Sequence, residues 1–342
     1  MRIIPVGELH ALAEDVMLGI GCVAASAQVI AEHLVLADLH GVSSHGTMRL
    51  TQYAQQAATG YLDAAGVPSL HESDMVNTTL RRVDANSGFG HPAMVLAADV
   101  AIETCAVHGH ALVAVTNCGH TGRLGHYSEL LATQGLVSII MGGGRWQHWR
   151  QVAPHGGIDP KLATNPYSFG FPGGEDGPLI ADFATGATSG GRAMSTSVRE
   201  ELFDDPIVLD ADGLPSRDPN AYLDGGAILP MAGPKGTGMG LMAELLASAM
   251  LGPDTPESNT LLIAIDPTRF ATPDELSRRR DEIFGHVKSS RPAPGHDQVH
   301  IPGQRGFALA EERRRSGVPI PETVWREIQD LLTKGTSQEN PT

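Results

Sequence analysis

The chain has 342 residues, enough for one large α/β body with additions or for two or three domains. Hydrophobic residues make up 41% and charged residues 18%, the balance of a globular protein that buries a core. A formal net charge of −15 without any basic run argues against a nucleic-acid or anionic-membrane partner.

Met1-Arg-Ile-Ile-Pro5 is followed by mixed polar residues, so the start has no secretory pattern. No apolar run approaches the roughly 20 residues of a membrane span. Apolar spacing of about 3.6 predicts helices over 6–19 (Leu9, Leu12, Val16) and 24–39 (Val29, Ile30, Leu34, Leu36). Gly41 offers a C-cap after the second. Ser43-Ser-His-Gly-Thr-Met-Arg49 leads into a third helix ending near Thr59, with either serine available as its cap. Residues 60–74 read as loop or irregular strand. Leu80–Asp84 reads as a strand, and Gly88–Pro92 as a turn into a helix over 93–108. Strand 111–115, helix 124–133 and strand 136–141 then alternate, a βαβ pattern that implies a parallel component. Gly142–Gly144 reads as a break, and Arg145–Arg150, with Trp146, His148 and Trp149, as a surface or interface loop rather than a substrate lid. Asn165–Pro172 and Leu179–Phe183 read as strands, with Ala184-Thr-Gly186 turning into a short helix. Residues 202–226 are an acidic, proline-punctuated loop holding a short strand at Pro206–Leu209. Gly233-Pro-Lys-Gly-Thr-Gly238 precedes an apolar helix over 239–251, and Leu261–Ile265 is a strand. Thr272-Pro-Asp-Glu275 starts a helix, with proline and acids in its first turn. Polar helices over 305–316 and 322–333 close the chain.

The three cysteines have no metal-like spacing and are odd in number, so a reducing cytoplasm fits better than a disulfide framework. Cys22 and Cys105 read as core, and Cys118 as core or turn packing. Fifteen histidines raise a metal hypothesis, but His40/His45 and His120/His126 lack the helical spacing of a zinc site, and no metal is expected.

Two stretches carry chemistry. Thr116-Asn-Cys-Gly-His-Thr-Gly-Arg-Leu-Gly-His126 places His120 in a glycine-rich turn between a strand end and a helix start, the edge where ligands collect in α/β sheets. An imidazole there can exchange a proton near neutral pH, or it can simply bond to turn backbone. Ser44-His45, with Arg49 four residues on, is a kit for a carboxylate if the helix there puts His45 at its mouth and Arg49 one turn inside. The plainer reading is a serine cap and a solvated arginine. Gly233–Gly238 could seat a phosphate with Lys235, but it is not a Walker A sequence. No G-x-G-x-x-G fingerprint follows a first strand, which disfavours a Rossmann domain.

Taken in order, several segments resemble the malate/L-lactate dehydrogenase family that lacks the Rossmann fold. They are Ala37–Gly46 with Arg49, Gly119-His-Thr-Gly122, Val152–Gly157, Ala163-Thr-Asn-Pro166, Asp182-Phe-Ala-Thr185, Gly233-Pro-Lys-Gly236 and Pro302-Gly303. The resemblance implies an α/β fold in which a non-Rossmann, mixed-sheet cofactor domain joins a helical domain built from both chain ends. Residues 1–60 plus 304–335 would form the helical domain, 61–115 a linking α/β segment and 116–303 the NAD(P)-binding domain. It also implies hydride exchange between NAD or NADP and a small 2-hydroxy/2-oxo or cyclic imino acid, in a cytoplasmic homodimer. A cofactor-binding relative without turnover is the non-enzymatic alternative. His120 would be the acid/base, with Ser44, His45 and Arg49 holding the substrate carboxylate or the nicotinamide end. Asn165, Asp182, Ala184, Thr185, Arg192, Lys235, Gly236, Pro302, Gly303 and Gln304 would line the cofactor groove. Gly186 stands where relatives carry serine, and Arg192 where they carry a lysine; arginine keeps the charge and suits a 2′-phosphate.

Overall fold

The computed structural model describes residues 1–71, 79–144, 148–174, 177–252 and 255–336. Strand β1 (Arg2–Ile4) leads into α1 (Val6–Gly19) and α2 (Ala24–Leu39), close to the predicted spans. The next segment departs from expectation. Two 3₁₀ turns, Ser43–His45 and Thr47–Arg49, precede a shorter α3 (Leu50–Ala58), and no side chain caps it. The buried Asp38 carboxylate explains the turns, because it accepts from Thr47 N–H at 2.8 Å and Thr47 Oγ1 at 2.7 Å. Those bonds pull residue 47 back onto α2 before a helix can start.

Strand β2 (Ser69–Leu70) pairs antiparallel with β3 (Leu80–Asp84), which α4 (Gly90–His108) joins to β4 (His110–Cys118). Strands β3 and β4 are parallel, a βαβ unit one strand upstream of the predicted one. Helix α5 (Leu124–Thr133) then leads to β5 (Val137–Gly144), which runs straight through the glycines read as a break. A Cβ on Gly143 would meet Ala247 Cβ at 2.6 Å, so the bare backbone admits a helix against the strand. Strands β6 (Tyr167–Gly174) and β7 (Gly177–Phe183) extend the sheet by antiparallel pairing.

Helix α6 (Gly190–Val198) is capped by Ser189, whose Oγ accepts from Arg192 N–H. Strands β8 (Val208–Leu209) and β9 (Pro215–Ser216), helix α7 (Pro219–Leu223) and strand β10 (Ala227–Ile228) form a small three-stranded annex in order β10-β8-β9. Helix α8 (Pro234–Glu244) begins earlier than predicted and widens into a π-helical turn, Leu245–Met250. Then comes β11 (Ser258–Ile265). It inserts between β4 and β5, antiparallel to both, so the second half of the expected βαβ alternation is split. The seven-stranded order is β2-β3-β4-β11-β5-β6-β7.

Helix α9 (Pro273–Lys288) opens with a capping box between Thr272 and Glu275. Helix α10 (Gln304–Ser316), β12 (Val318–Ile320) and α11 (Glu322–Thr336) finish the described chain. Strand β12 pairs with β1, and Ile328 of α11 joins the core of α1, α2 and α3, so both ends meet. Helices α4 and α5 cover one sheet face through Met94, Ala97, Tyr127 and Leu131 over Val113, Val115, Ile140 and Leu262. Ala243 of α8 covers the other face, over Met141, Tyr167 and Leu261. Fully burying such side chains contributes about 1.5–3 kcal/mol each, so this sheet is the rigid platform for the cleft at its edge. The three cysteines are free and buried. Among the described residues, no helix is long and apolar enough to cross a membrane.

Candidate active site

A cleft of about 620 Å³ opens at the end of β4, where the sheet meets the α2–α3 connection. Its size lies in the ~300–1,000 Å³ range of small-molecule sites. His45 and His120 stand on one side, and Gly142–Gly144, Asn165, Asp182, Ala184 and Arg192 line the rest.

The His120 turn is pinned by two backbone hydrogen bonds to the Gly88–Gly90 segment. Gly90 N–H, at the start of α4, donates to His120 O at 3.0 Å, and Gly119 N–H donates to Gly88 O at 2.8 Å. A Cβ on Gly90 would lie 2.7 Å from Gly119 O, so helix and turn touch through bare backbone. Gly122 has φ +69°, which glycine takes without a Cβ penalty.

The imidazole is held as firmly. Tyr53 of α3 places its hydroxyl 2.7 Å from His120 Nδ1 and 3.3 Å from His91 Nε2. Gly122 N–H donates to the same Nδ1 at 3.3 Å, so this nitrogen is engaged by Tyr53 and the turn backbone, and Nε2 is the one left for the cleft. His45 stacks on His120 with ring centroids 5.6 Å apart, and Ser44 Oγ lies 3.1 Å from His45 Nδ1.

Burial, then the charges of Arg49, His45 and His91, holds the His120 pKa well below that of a free histidine. Burial and Arg49 push His45 down to about 3, and burial with His126 does the same to His91. These rings are therefore neutral at pH 7, and His120 meets the cleft as an uncharged imidazole rather than a cation. Glu257 is opposite in character. Burial raises it to about 7, although Arg49, Gln56 and the His120 backbone N–H all favour its charge.

The sequence-derived candidates divide. His45, His120, Asn165, Asp182, Ala184 and Arg192 line the cleft. Arg49 stands behind it, donating through Nε to Ser44 O and through Nη1 to Gln52 Oε1, each at 2.5 Å. It bears on His120 by charge. Thr185 is buried and spends its hydroxyl on Thr164 O at 3.0 Å. Lys235 is exposed at the start of α8, and Gly236 is buried beneath Thr185, so neither reaches the cleft. Pro302 and Gly303 pack against β7, where Ile180 N–H donates to Pro302 O, and Gln304 lines a separate groove beside His40. Of the Arg145–Arg150 loop, residues 145–147 lie outside the described ones. Trp149 departs from the surface reading: it lines the cleft and donates through Nε1 to Tyr61 Oη at 3.1 Å.

Three residues escaped the sequence reading. Tyr53 lies four positions after Arg49 on the same helical face, a spacing that was available as a signal. Arg123 lines the cleft beside Asp182, with its Nε 4.0 Å from the Asp182 carboxylate and a close ion pair to Glu129. Glu257 had no local signal, because its partners His120 and Gln56 are distant in the chain.

The cleft can hold a polar cofactor. Arg123 Nη1, Asn165 Oδ1 and Thr188 Oγ1 are buried polar atoms on its lining residues with no protein partner. One donor for an anion, one acceptor for an amide and one hydroxyl suit a nicotinamide nucleotide.

A profile of the malate/L-lactate dehydrogenase family matches residues 4–329. The chain is 30% identical to the Delta(1)-pyrroline-2-carboxylate/Delta(1)-piperideine-2-carboxylate reductase of Pseudomonas putida, covering 96% of each chain. It is 31% identical to the L-sulfolactate dehydrogenase of Methanothermobacter thermautotrophicus, covering 96% of this chain and 95% of that one. The crystal structure of delta1-piperideine-2-carboxylate reductase from Pseudomonas syringae pvar. tomato superposes with a TM-score of 0.85 at 29% identity, over 97% of this chain and all of that one.

Proposed function

The chain belongs to the malate/L-lactate dehydrogenase family, and from that we propose that it transfers a hydride between a nicotinamide cofactor and C2 of a small 2-hydroxy/2-oxo acid. The observation that carries the proposal is the neutral His120, fixed through Nδ1 by Tyr53 with Nε2 left for the cleft. In oxidation, His120 Nε2 takes the hydroxyl proton of the substrate; in reduction it returns a proton to the carbonyl oxygen. His45 stacks on the far side of that ring and restricts its rotation. Arg49 supplies positive charge at the same end, favouring a substrate carboxylate. Asp182, Ala184 and Asn165, with the glycine wall of β5, would hold the nicotinamide half of the cofactor. When bound, the nicotinamide supplies or accepts the hydride.

A cyclic 2-imino acid is the second reading. The reductase similarities at 30% identity favour it, as does an ionisable carboxyl, Glu257, in the cleft wall. In this proposal the protein is cytoplasmic and works as a homodimer. Residues 1–60 plus 304–335 form its helical part, 61–115 the link and 116–303 the cofactor part.

The test is a fluorescence titration with NADH and NADPH separately, followed by turnover assays with 2-oxo and cyclic 2-imino acids. Saturable binding and turnover support the proposal, and the preferred nucleotide says whether Arg192 reads a 2′-phosphate. Binding without turnover on either class would leave a cofactor-binding relative.

A further inference from the structure

Glu257 immediately precedes β11, and its carboxyl is in the wall of the cleft that His120 faces. It accepts from Gln56 Nε2 at 3.4 Å, and the nearby His120 backbone N–H favours its charged form. Nothing neutralises it at contact range: among the described residues, no lysine, arginine or histidine nitrogen lies within 4.0 Å. Arg49 acts on it by charge from a distance, and its own guanidinium is spent on Ser44 and Gln52. The Gln56 Oε1 atom is buried without a partner, so a turned amide can equally accept from a protonated Glu257. The cleft thus contains one carboxyl whose backbone and amide partners hold it in place beside the acid/base.

The chemistry at C2 is where such a group discriminates. Above pH 7, where Glu257 is ionised, a 2-oxo acid offers only oxygen lone pairs there, which the carboxylate repels. A cyclic 2-imino acid in its protonated form offers N–H⁺, and its amino acid product offers NH₂⁺. Each forms a charge-assisted hydrogen bond with a carboxylate. We propose that Glu257 is the specificity-determining residue of this cleft, receiving the N–H⁺ of a cyclic 2-imino acid and thereby selecting it over a 2-oxo acid. This rests on the hydride-transfer reading above and takes the second of its two substrate classes, the cyclic 2-imino acid. The balance is simple: hydride adds at C2, the C=N π pair becomes the nitrogen lone pair, and the reduced nicotinamide is oxidised. The amine then takes a proton from water on release, and Glu257 is unchanged.

The test compares wild type with Glu257→Gln, which keeps a carbonyl oxygen for the His120 N–H and removes the charge. With the preferred reduced nicotinamide, kcat/KM is measured on Delta(1)-piperideine-2-carboxylate and on pyruvate. The variant should lose on the imino acid and gain on the oxo acid, lowering their ratio by at least about tenfold, as expected when a polar partner is removed from a buried recognition site. An unchanged ratio overturns the proposal. If the wild type turns over neither substrate, the hydride-transfer reading fails by itself, and calorimetric binding of L-proline against L-lactate decides the role of Glu257. A wild-type preference for L-proline that Glu257→Gln abolishes supports it. Absence of that preference overturns it.

Discussion

The hydroxyl of Tyr53 stands 2.7 Å from Nδ1 of His120, and this contact ties α3, of the helical end of the chain, to the His120 turn at the end of β4. In the proposed reaction Tyr53 is a positioning residue, acting through the imidazole. Tyr53→Phe keeps the packing and removes the hydroxyl. Its kcat should fall by about tenfold, the order expected for loss of one orienting bond of ~1.5 kcal/mol. Nucleotide affinity, read by fluorescence titration, should stay as in wild type. Equal losses in both would indicate a disturbed cleft instead.

If His120 is the proposed acid/base, replacing it by alanine removes the proton exchange itself. Reduction of a 2-oxo acid should drop by roughly 10²–10⁴-fold, the usual worth of a general acid/base. Steady-state kinetics across pH would check it, and full turnover by the variant would exclude the role. A protonated imino substrate brings its own proton, so its reduction should suffer less.

Gly122 has φ +69°, and a Cβ there would lie 2.7 Å from His91 Nε2 and also run into His33. Both rings are buried in the α2–α4–α5 contact and have no room to retreat. Gly122→Ala should therefore destabilise the fold by about 2 kcal/mol or more, combining strain at a positive φ with overpacking. Urea denaturation with an unchanged midpoint would contradict this.

Acid should unfold the protein early. Burial pushes His40, His45 and His91 down to about 3 and His126 to about 4, and holds His33 and His120 well below their ordinary value of 6.5. The folded state keeps these rings neutral while the unfolded chain protonates them, so their contribution is full above pH 6.5 and is lost as pH falls. Asp38, raised to about 6, and Glu257, raised to about 7, act the other way, since folding retains their protons. Six histidines outnumber these carboxyls, so near pH 5.5 the unfolded chain binds more protons than the fold and stability falls with pH. Denaturant midpoints measured from about pH 7.5 down to about pH 5 should fall steeply. A flat profile would mean the rings are charged in the fold.

What could be read from the sequence follows from locality. His120 was legible because strand, glycine turn and helix are consecutive, and His45 because it lies within a short polar motif. Tyr53 was not, since a fully buried aromatic at helical spacing looks like any core residue until its hydroxyl is seen to meet two imidazoles. Glu257 was not, because its meaning comes from residues 56 and 120. The 3₁₀ turns at Ser43–Arg49 were hidden by Asp38, which recruits Thr47 across nine positions. Of the short strands, β8 falls within the predicted Pro206–Leu209, whereas β9, β10 and the β1–β12 pair, with two or three residues each, were too short for periodicity to register.

The insertion of β11 between β4 and β5 also sets a timetable. A ribosome releases β4, α5 and β5 well before residues 258–265 exist, and until then β4 and β5 share no ladder and each offers an open edge. Closing the sheet waits on a segment about 140 residues after β4, a long loop whose closure slows folding. Unpaired edges in the meantime are sticky. Nascent chains stalled before residue 258 should therefore be the species that needs a chaperone. Glu257, the last cleft residue before that strand, arrives only when the sheet is ready to close.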